Sequence, residues 1–430
     1  MELGVAVAIV LAVALVLSVP IAMALGLAAL AGILIMSPDF LIFLPQKFLT
    51  GIDAFTLLAI PLFILAGTIM SYGGIARRIV DLAMVFVGRL RGGLGMVSIL
   101  STMFFSGVCG SASADTAAIG SVTIPAMKEK KYPAPFATAI VAAAGGTSQL
   151  VPPSIDLIVI GVVANISIGG LFAAGFLPGA VNGLALMALV YYYARKLNLP
   201  LEARLSIKEK LRRIWDGLLA VLMAVIILGG ILGGVFTPTE ASAVAVVYGF
   251  VVSFFVYKEL KLNDIPKVLL RTCQLTGIVM FVLGMASVFS FILTFERIPH
   301  NIAAAIVSYA DNWIIFVLFV NILFLLLGMI MDALPALIIL MPILVPVGLS
   351  LGMDPIHLGI LVEANVGISL ISPPVGVCLY VACGLSKEPI ETVIRALIPF
   401  YLVLVATVLV ISYVPEITLF IPRLLGYVNG

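Results

Sequence analysis

Two clusters of small and polar residues, each set inside a long apolar stretch, hold the groups in this sequence that could do chemistry. The first runs through Ser106-Gly-Val-Cys-Gly-Ser-Ala-Ser-Ala-Asp115 and Gly145-Gly-Thr-Ser-Gln-Leu-Val-Pro-Pro-Ser154. Its candidate binding residues are Gly107, Gly110, Ser111, Ser113, Asp115, Gly145, Gly146, Thr147, Ser148 and Pro152. The second offers Gly328, Asp332, Pro335, Asn365, Gly367, Ser369, Ser372 and Pro373. Glycine permits dihedrals closed to other residues, serine and threonine supply short oxygen ligands, and adjacent prolines remove two backbone donors and forbid a regular helix. Where a helix breaks inside a membrane, its freed carbonyls can coordinate sodium and its exposed amino terminus attracts an anion. Sodium is therefore expected among these positions as the coupling ion, without an assignment of individual ligands. Close helix crossing through small residues is the alternative use of the Ser/Gly runs. Asp115 and Asp332 cost several kcal/mol if ionised in hydrocarbon, so each must pair, cap a half-helix or face an ion.

The chemistry that the composition leaves out is equally informative. The 430 residues are 63% hydrophobic and 10% charged, with a mean hydropathy of +1.28, too apolar for a water-soluble interior to hide. A net charge of +2 gives no footprint for nucleic acid. Cys109, Cys273, Cys378 and Cys383 form no metal-ligand spacing with each other or with His300 and His357. Ser106, Ser111 and Ser113 have no histidine placed beside them as a base, so an enzyme is not indicated. Both histidines fall at positions expected outside the membrane, which disfavours a proton relay and favours oxygen-ligated sodium. Asp156 and Glu363 are weaker candidates, and Glu240 in Phe236-Thr-Pro-Thr-Glu-Ala241 reads as a first-turn capping carboxylate.

Basic residues show which elements position these clusters. If every Lys/Arg group from Arg77 to Arg91, Lys128 to Lys131, Arg195 to Arg213, Lys258 to Arg271, and Lys387 with Arg395 faces the cytoplasm, 20 of the 23 basic residues lie on one side. Only Lys47, Arg297 and Arg423 remain outside. Between Arg91 and Lys128 lie 36 residues, too few for two full spans, so a re-entrant hairpin is expected over 93–126 with its tip at 106–115. The next span, 133–164, carries the Pro-Pro pair in its middle and reads as a discontinuous helix.

The same construction returns 221 residues later. Pro125 pairs with Pro346, Pro152-Pro153 with Pro373-Pro374, and Pro178 with Pro399. A second hairpin is expected over 313–349 and a second broken helix over 358–385. Basic residues that flank the first hairpin are nearly missing around the second, so the second copy enters from the opposite face. The expected architecture is an all-α polytopic membrane protein of inverted repeats, with two re-entrant helical hairpins and two discontinuous helices. Residues 1–194 form the first repeat, 195–213 a cytoplasmic linker that could include an interfacial helix, and 214–430 the second repeat. Both termini are expected outside, with ten crossings besides the hairpins.

The motifs Ser106–Thr116 with Ile124-Pro-Ala-Met127, Gly145–Ser154, Phe236–Ala241 and Gly367-Ile-Ser-Leu-Ile-Ser-Pro-Pro-Val-Gly376 resemble the large membrane subunit of tripartite ATP-independent periplasmic (TRAP) transporters. The likeness runs over nearly the whole chain. It implies an elevator-type secondary transporter of the cell inner membrane, not an enzyme, that uses Na+ to import an organic acid such as a C4-dicarboxylate or sialic acid. It also implies two partners, a small four-helix membrane subunit and a periplasmic substrate-binding protein. A one-component sodium- or proton-coupled anion carrier of the same architecture is the alternative.

Overall fold

The computed structural model describes residues 2–17, 19–202, 205–296, 312–329, 333–374 and 376–428. Among them the chain is entirely helical. The amino-terminal part contains α1 (Glu2–Val16), α2 (Ile21–Met36), α3 (Phe43–Ile52), α4 (Ala59–Tyr72) and α5 (Ile75–Val87). A hairpin follows, formed by α6 (Gly93–Cys109) and α7 (Ala112–Glu129), and then a broken helix formed by α8 (Ala134–Ser148) and α9 (Ile155–Ala164). Next come α10 (Ile168–Lys196), α11 (Ile207–Leu232), α12 (Pro238–Val251) and α13 (Ile265–Phe295). The second hairpin is α14 (Trp313–Gly328) with α15 (Ala333–Ser350), and the second broken helix is α16 (Pro355–Ser369) with α17 (Val377–Ser386). The described chain closes with α18 (Ile390–Tyr413) and α19 (Pro415–Leu424).

Seven helices among the described residues are long and apolar enough to cross a bilayer, and the broken helices add up to spans of their own. At 1.5 Å per residue, α8 and α9 together reach about 37 Å, more than the ~30 Å of hydrocarbon. Large apolar side chains such as Ile9, Phe86, Trp215 and Val225 stand exposed around the perimeter, where lipid is the solvent.

The repeat is legible helix by helix. Adding 221 to Ala112–Glu129 gives Ala333–Ser350, and adding it to Ala134–Ser148 gives Pro355–Ser369, the bounds of α15 and α16. Packing is reciprocal too: α7 lies on α17 while α15 lies on α9, and α8 lies on α18 while α16 lies on α10. Gly146 and Gly367, themselves 221 apart, meet so closely that a side chain added to either would strike the other's carbonyl. A pseudo-twofold axis therefore passes between them.

Contacts at the ends give the sense of that axis. Lys128, just before α8, donates to the Ser386 carbonyl at 2.6 Å, so α8 begins where α17 ends. Gly359 near the start of α16 packs beside Ile160 and Ile166, so α9 ends where α16 begins. The two broken helices run antiparallel, and the repeats are inverted.

Several local expectations need adjusting. The first tip is narrower than 106–115, because the chain turns at Gly110 and Ser111 alone and leaves Gly107, Ser113 and Asp115 helical. The hairpin also continues through Pro125 to Glu129, past the expected end at 126. In the linker, Ile207–Arg213 forms the first turns of the long α11 instead of a separate interfacial helix. Ser206 caps this helix by accepting from the Glu209 amide at 3.2 Å. His357 is buried, with Nδ1 2.7 Å from Thr418 Oγ1 and Nε2 3.2 Å from the Ser412 carbonyl, because α19 folds back over the start of α16. Asp332 and His300 lie outside the described residues.

On the basic side, α5 buries Ile75, Ile79 and Leu82 and turns its charges outward. Arg213 pairs with Asp81 at 3.1 Å, and Arg78 pairs with Glu259 at 2.8 Å while its guanidinium covers the Tyr257 ring at 3.7 Å. These contacts fasten α5 to α11 and to the segment after α12.

Candidate functional site

The first site forms where the hairpin turn meets the gap between α8 and α9. Gly110 adopts φ +66°, a left-handed conformation that glycine takes without steric cost, and its carbonyl accepts from the Ile155 amide at 3.2 Å. This bond holds the tip against the start of α9. A Cβ at Gly110 would lie 2.7 Å from the Pro153 carbonyl, so both dihedral and space require glycine. The Pro152-Pro153 and Pro373-Pro374 peptide bonds are both cis.

Oxygen atoms gather behind that turn. Ser106 Oγ donates to the Ser148 carbonyl at 2.7 Å and lies 3.4 Å from the Val151 carbonyl. Ser148 Oγ donates to Asp115 Oδ2 at 2.9 Å and lies 2.8 Å from the Gly145 carbonyl. Asp115 is fully buried, and its Oδ1 has no hydrogen-bond partner. Helix α7 starts there with Ser111 as its N-cap residue and no side chain on the freed amides, while Asp115 occupies its first turn. Carboxylate, hydroxyl and carbonyl oxygens thus adjoin a half-helix amino terminus. The first can hold a small hard cation, and the second can hold an anion.

The remaining sequence candidates in this half divide by role. Ser111 and Ser113 face each other with hydroxyls 3.4 Å apart and are partly exposed beside the tip. Thr147 returns its hydroxyl to the Ala144 carbonyl of its own helix. Gly145 sits against Thr116 and Gly146 against Gly367, where both serve close helix approach. Gly107 faces the Pro152 carbonyl across the hairpin.

In the second half, Gly328 at the end of α14 packs on Ser369 at the end of α16, and Pro335 is buried in the first turn of α15. Ser369 and Ser372 donate to the carbonyls of Val366 and Ile368 within the same segment. Asn365 donates to Asn321 Oδ1 at 2.6 Å and to the Leu361 carbonyl at 2.9 Å, leaving its own Oδ1 buried without a partner. Ser412 of α18 joins the same Asn321 oxygen at 3.2 Å. Pro373 is half-buried beside the exposed Pro374, whereas Pro152 and Pro153 are both buried.

Three residues that the fold makes prominent were not among the binding candidates read from the sequence. Ser106 in the last turn of α6 and Asn321 in the middle of α14 gain meaning only from partners 42 and 44 residues away. Gln149 holds Asp156 Oδ2 through its amide nitrogen at 2.7 Å, a link that a reader attentive to a glutamine beside a Pro-Pro break could have suspected. Glu240 completes the capping box of α12, whose N-cap is Thr237: its carboxylate accepts from the Thr237 amide at 2.8 Å, and its own amide donates to Thr237 Oγ1 at 3.3 Å.

The chain is similar to known proteins over nearly its whole length. The family model described as "Tripartite ATP-independent periplasmic transporter, DctM component" matches residues 8–417. The C4-dicarboxylate TRAP transporter large permease protein DctM of Pseudomonas aeruginosa is 42% identical over 394 residues, covering 92% of each chain. The sialic acid TRAP transporter large permease protein SiaM of Vibrio cholerae is 37% identical over 400 residues, covering 93% of this chain and 94% of the relative. The isethionate TRAP transporter permease protein DctMQ of Oleidesulfovibrio alaskensis is 42% identical over 91% of this chain but only 62% of its own longer one. Among solved structures, the YdaH transporter of Alcanivorax borkumensis shares the fold with a TM-score of 0.61 over 87% of this chain and 89% of that one, at 15% identity. A match along almost the whole length, with two inverted hairpins and two broken helices in register, shows that the chain belongs to the DctM family, the large multi-pass membrane permease of TRAP transporters.

Proposed function

We propose that the chain imports a small organic anion across the inner membrane by coupling it to sodium. The observation that carries this reading is the fully buried oxygen cluster of Ser106, Asp115 and Ser148, closed by the Gly110 turn beside the free amino terminus of α7. Sodium fits the donor set, which is hard oxygen throughout. The anion fits the start of α7, where no side chain caps the freed amides. Relatives named for a C4-dicarboxylate, sialic acid and isethionate share one chemical property, a small oxygen-rich anion, and the substrate is assigned to that class.

In this reading residues 1–194 and 214–430 are the repeats and 195–213 joins them on the cytoplasmic side. Helices α6–α10 and α14–α19 move as an elevator against a scaffold of α1–α4 and α11–α13. The packing supports the division, since α2, α3 and α4 all lie on α13 and α4 lies on α12, whereas the hairpins lie chiefly on the broken helices. A periplasmic binding protein delivers the substrate and a small membrane subunit completes the permease. The second is supported by the relative whose name joins M and Q in one chain.

The test is uptake into proteoliposomes containing the chain and its small subunit, with a loaded binding protein outside. An inward sodium gradient should drive accumulation, and replacing sodium with potassium on both sides should abolish it. Accumulation that persists without sodium would refute the coupling, and uptake without the binding protein would favour a one-component carrier.

A further inference from the structure

A cavity of about 320 Å³ lies between α4, α12 and the start of α13, and no hairpin residue lines it. Its walls include Leu65, Ile69, Phe250, Leu260, Val268 and Leu269, and every lining residue is apolar. Ile69, Leu260 and Val268 are buried and form a small cluster with Leu65, Val246 and Phe250, separate from the main core. Val247 and Leu269, which also line the cavity, are 64% and 49% exposed, so it opens sideways where lipid is the solvent.

An unusual turn closes one end of this space. Helix α12 runs into a π turn over Val252–Val256, with the Tyr257 amide donating to the Val252 carbonyl at 2.8 Å. Such turns recur at functional sites. Lys258 then takes φ +57°, uncommon for a residue with a side chain, and the Glu259 and Leu260 amides fold back on the Ser253 carbonyl at 3.2 and 3.3 Å. This reversal brings Leu260 against Ile69 and Val268.

Positive charge gathers at the same end. Lys258, Lys261, Lys267 and Arg271 occupy the turn and the first two turns of α13, with Glu259 and Asp264 among them. Both acids are engaged, Glu259 by Arg78 at 2.8 Å and Asp264 by Lys267 at 3.5 Å. Lys258, Lys261 and Arg271 are exposed and have no ion-pair partner among the described residues. Lys261 directly follows Leu260, and Arg271 lies one helical turn beyond Val268, so these cations adjoin the lining residues. By the positive-inside rule this end is cytoplasmic.

An apolar slot beside unpaired cations matches a lipid with an anionic headgroup. The space is too small for a transmembrane helix, of which a single turn takes roughly 420 Å³. An acyl chain entering from the bilayer exchanges hydrocarbon for hydrocarbon, so the headgroup decides which lipid is retained. We infer that the cavity takes one acyl chain of an anionic phospholipid of the cytoplasmic leaflet, whose phosphate is held by Lys258, Lys261 and Arg271. Leu65 and Ile69 line the cavity, while Gly67 between them packs on Cys109 at the end of α6. The lipid therefore supports the helix on which the first hairpin rests.

Native mass spectrometry of the full-length chain released from micelles tests this, with phosphatidylglycerol and phosphatidylethanolamine of identical acyl chains titrated in turn. Wild type should retain one phosphatidylglycerol more tightly than phosphatidylethanolamine. Lys261→Gln combined with Arg271→Gln should weaken phosphatidylglycerol roughly fivefold for each cation removed and leave phosphatidylethanolamine unaltered. Equal affinity for the two lipids in wild type, or unchanged phosphatidylglycerol affinity in the double variant, would overturn the proposal. If the double variant does not fold, phosphatidylglycerol bearing a diazirine near the end of one acyl chain locates the lipid on wild type. Labelling of Leu65, Ile69 or Phe250 supports the site, and labelling only elsewhere overturns it. Loss of that labelling when the chain is purified with its small subunit would assign the cavity to that partner and likewise overturn the proposal.

Discussion

In the proposed sodium site, Asp115 is the side chain on which cation binding turns. Its carboxylate is fully buried and accepts from Ser148, whose hydroxyl also reaches the Gly145 carbonyl, so alanine there removes a proposed ion ligand without stripping Ser148 of its only partner. A hydrogen bond to a charged group is worth about 1.5–3 kcal/mol, which corresponds to roughly a 10- to 100-fold loss of apparent sodium affinity. Sodium titration of uptake by Asp115→Ala should show that loss with insertion intact. Unchanged sodium dependence would remove Asp115 from the site. Gly110→Ala is expected to impair uptake, because φ +66° costs an L-residue about 1–2 kcal/mol and the Pro153 carbonyl stands in the way. Gly277→Ala in α13, where nothing lies within 4 Å, is the matched control and should leave uptake unaltered. Asp115 and Ser148 were legible in the sequence because a buried acid and a serine beside a broken helix stand out against apolar neighbours. Glu363 stood out only as a weaker candidate and Ser106 only as part of the tip motif, because their partners come from other helices and, for Glu363, from the other repeat.

At the scale of elements, the sequence showed where helices stop better than how tightly they turn. Proline pairs and glycine clusters mark breaks by removing donors and permitting left-handed dihedrals, so the 134–148 and 155–164 halves lay within the expected 133–164. The width of the first tip was not legible, since serine and alanine are compatible with helix once the Gly110 turn closes. Pro125 also remains helical, as prolines in membrane helices do when neighbours satisfy the freed backbone. Helix α12 offers a direct check on local energetics. Thr237→Ala deletes the hydroxyl half of its capping box and should cost about 1 kcal/mol, read as a lower unfolding midpoint in denaturant, with uptake kinetics preserved. An equal midpoint would mean that packing of α12 on α4 alone sets its start.

For the whole molecule, inversion is the feature that lets two similar hairpins serve as opposed gates in the proposed transport cycle. The orientation of the second copy came from missing basic residues, and the antiparallel contacts at Lys128–Ser386 and Ile160–Gly359 agree with it. What charge could not show was the reciprocal exchange of hairpin and broken helix, α7 on α17 and α15 on α9, because packing partners leave no mark on hydropathy. In the proposed cycle this exchange links the two hairpins, so a movement that frees one tip should bury the other. Single cysteines placed at 112 and 333, the first residues of α7 and α15, report on both in a background lacking the four native cysteines. Labelled by a membrane-impermeant thiol reagent from each side, with sodium and substrate added or withheld, the two positions should change reactivity in opposite senses. Parallel changes at both would contradict the account.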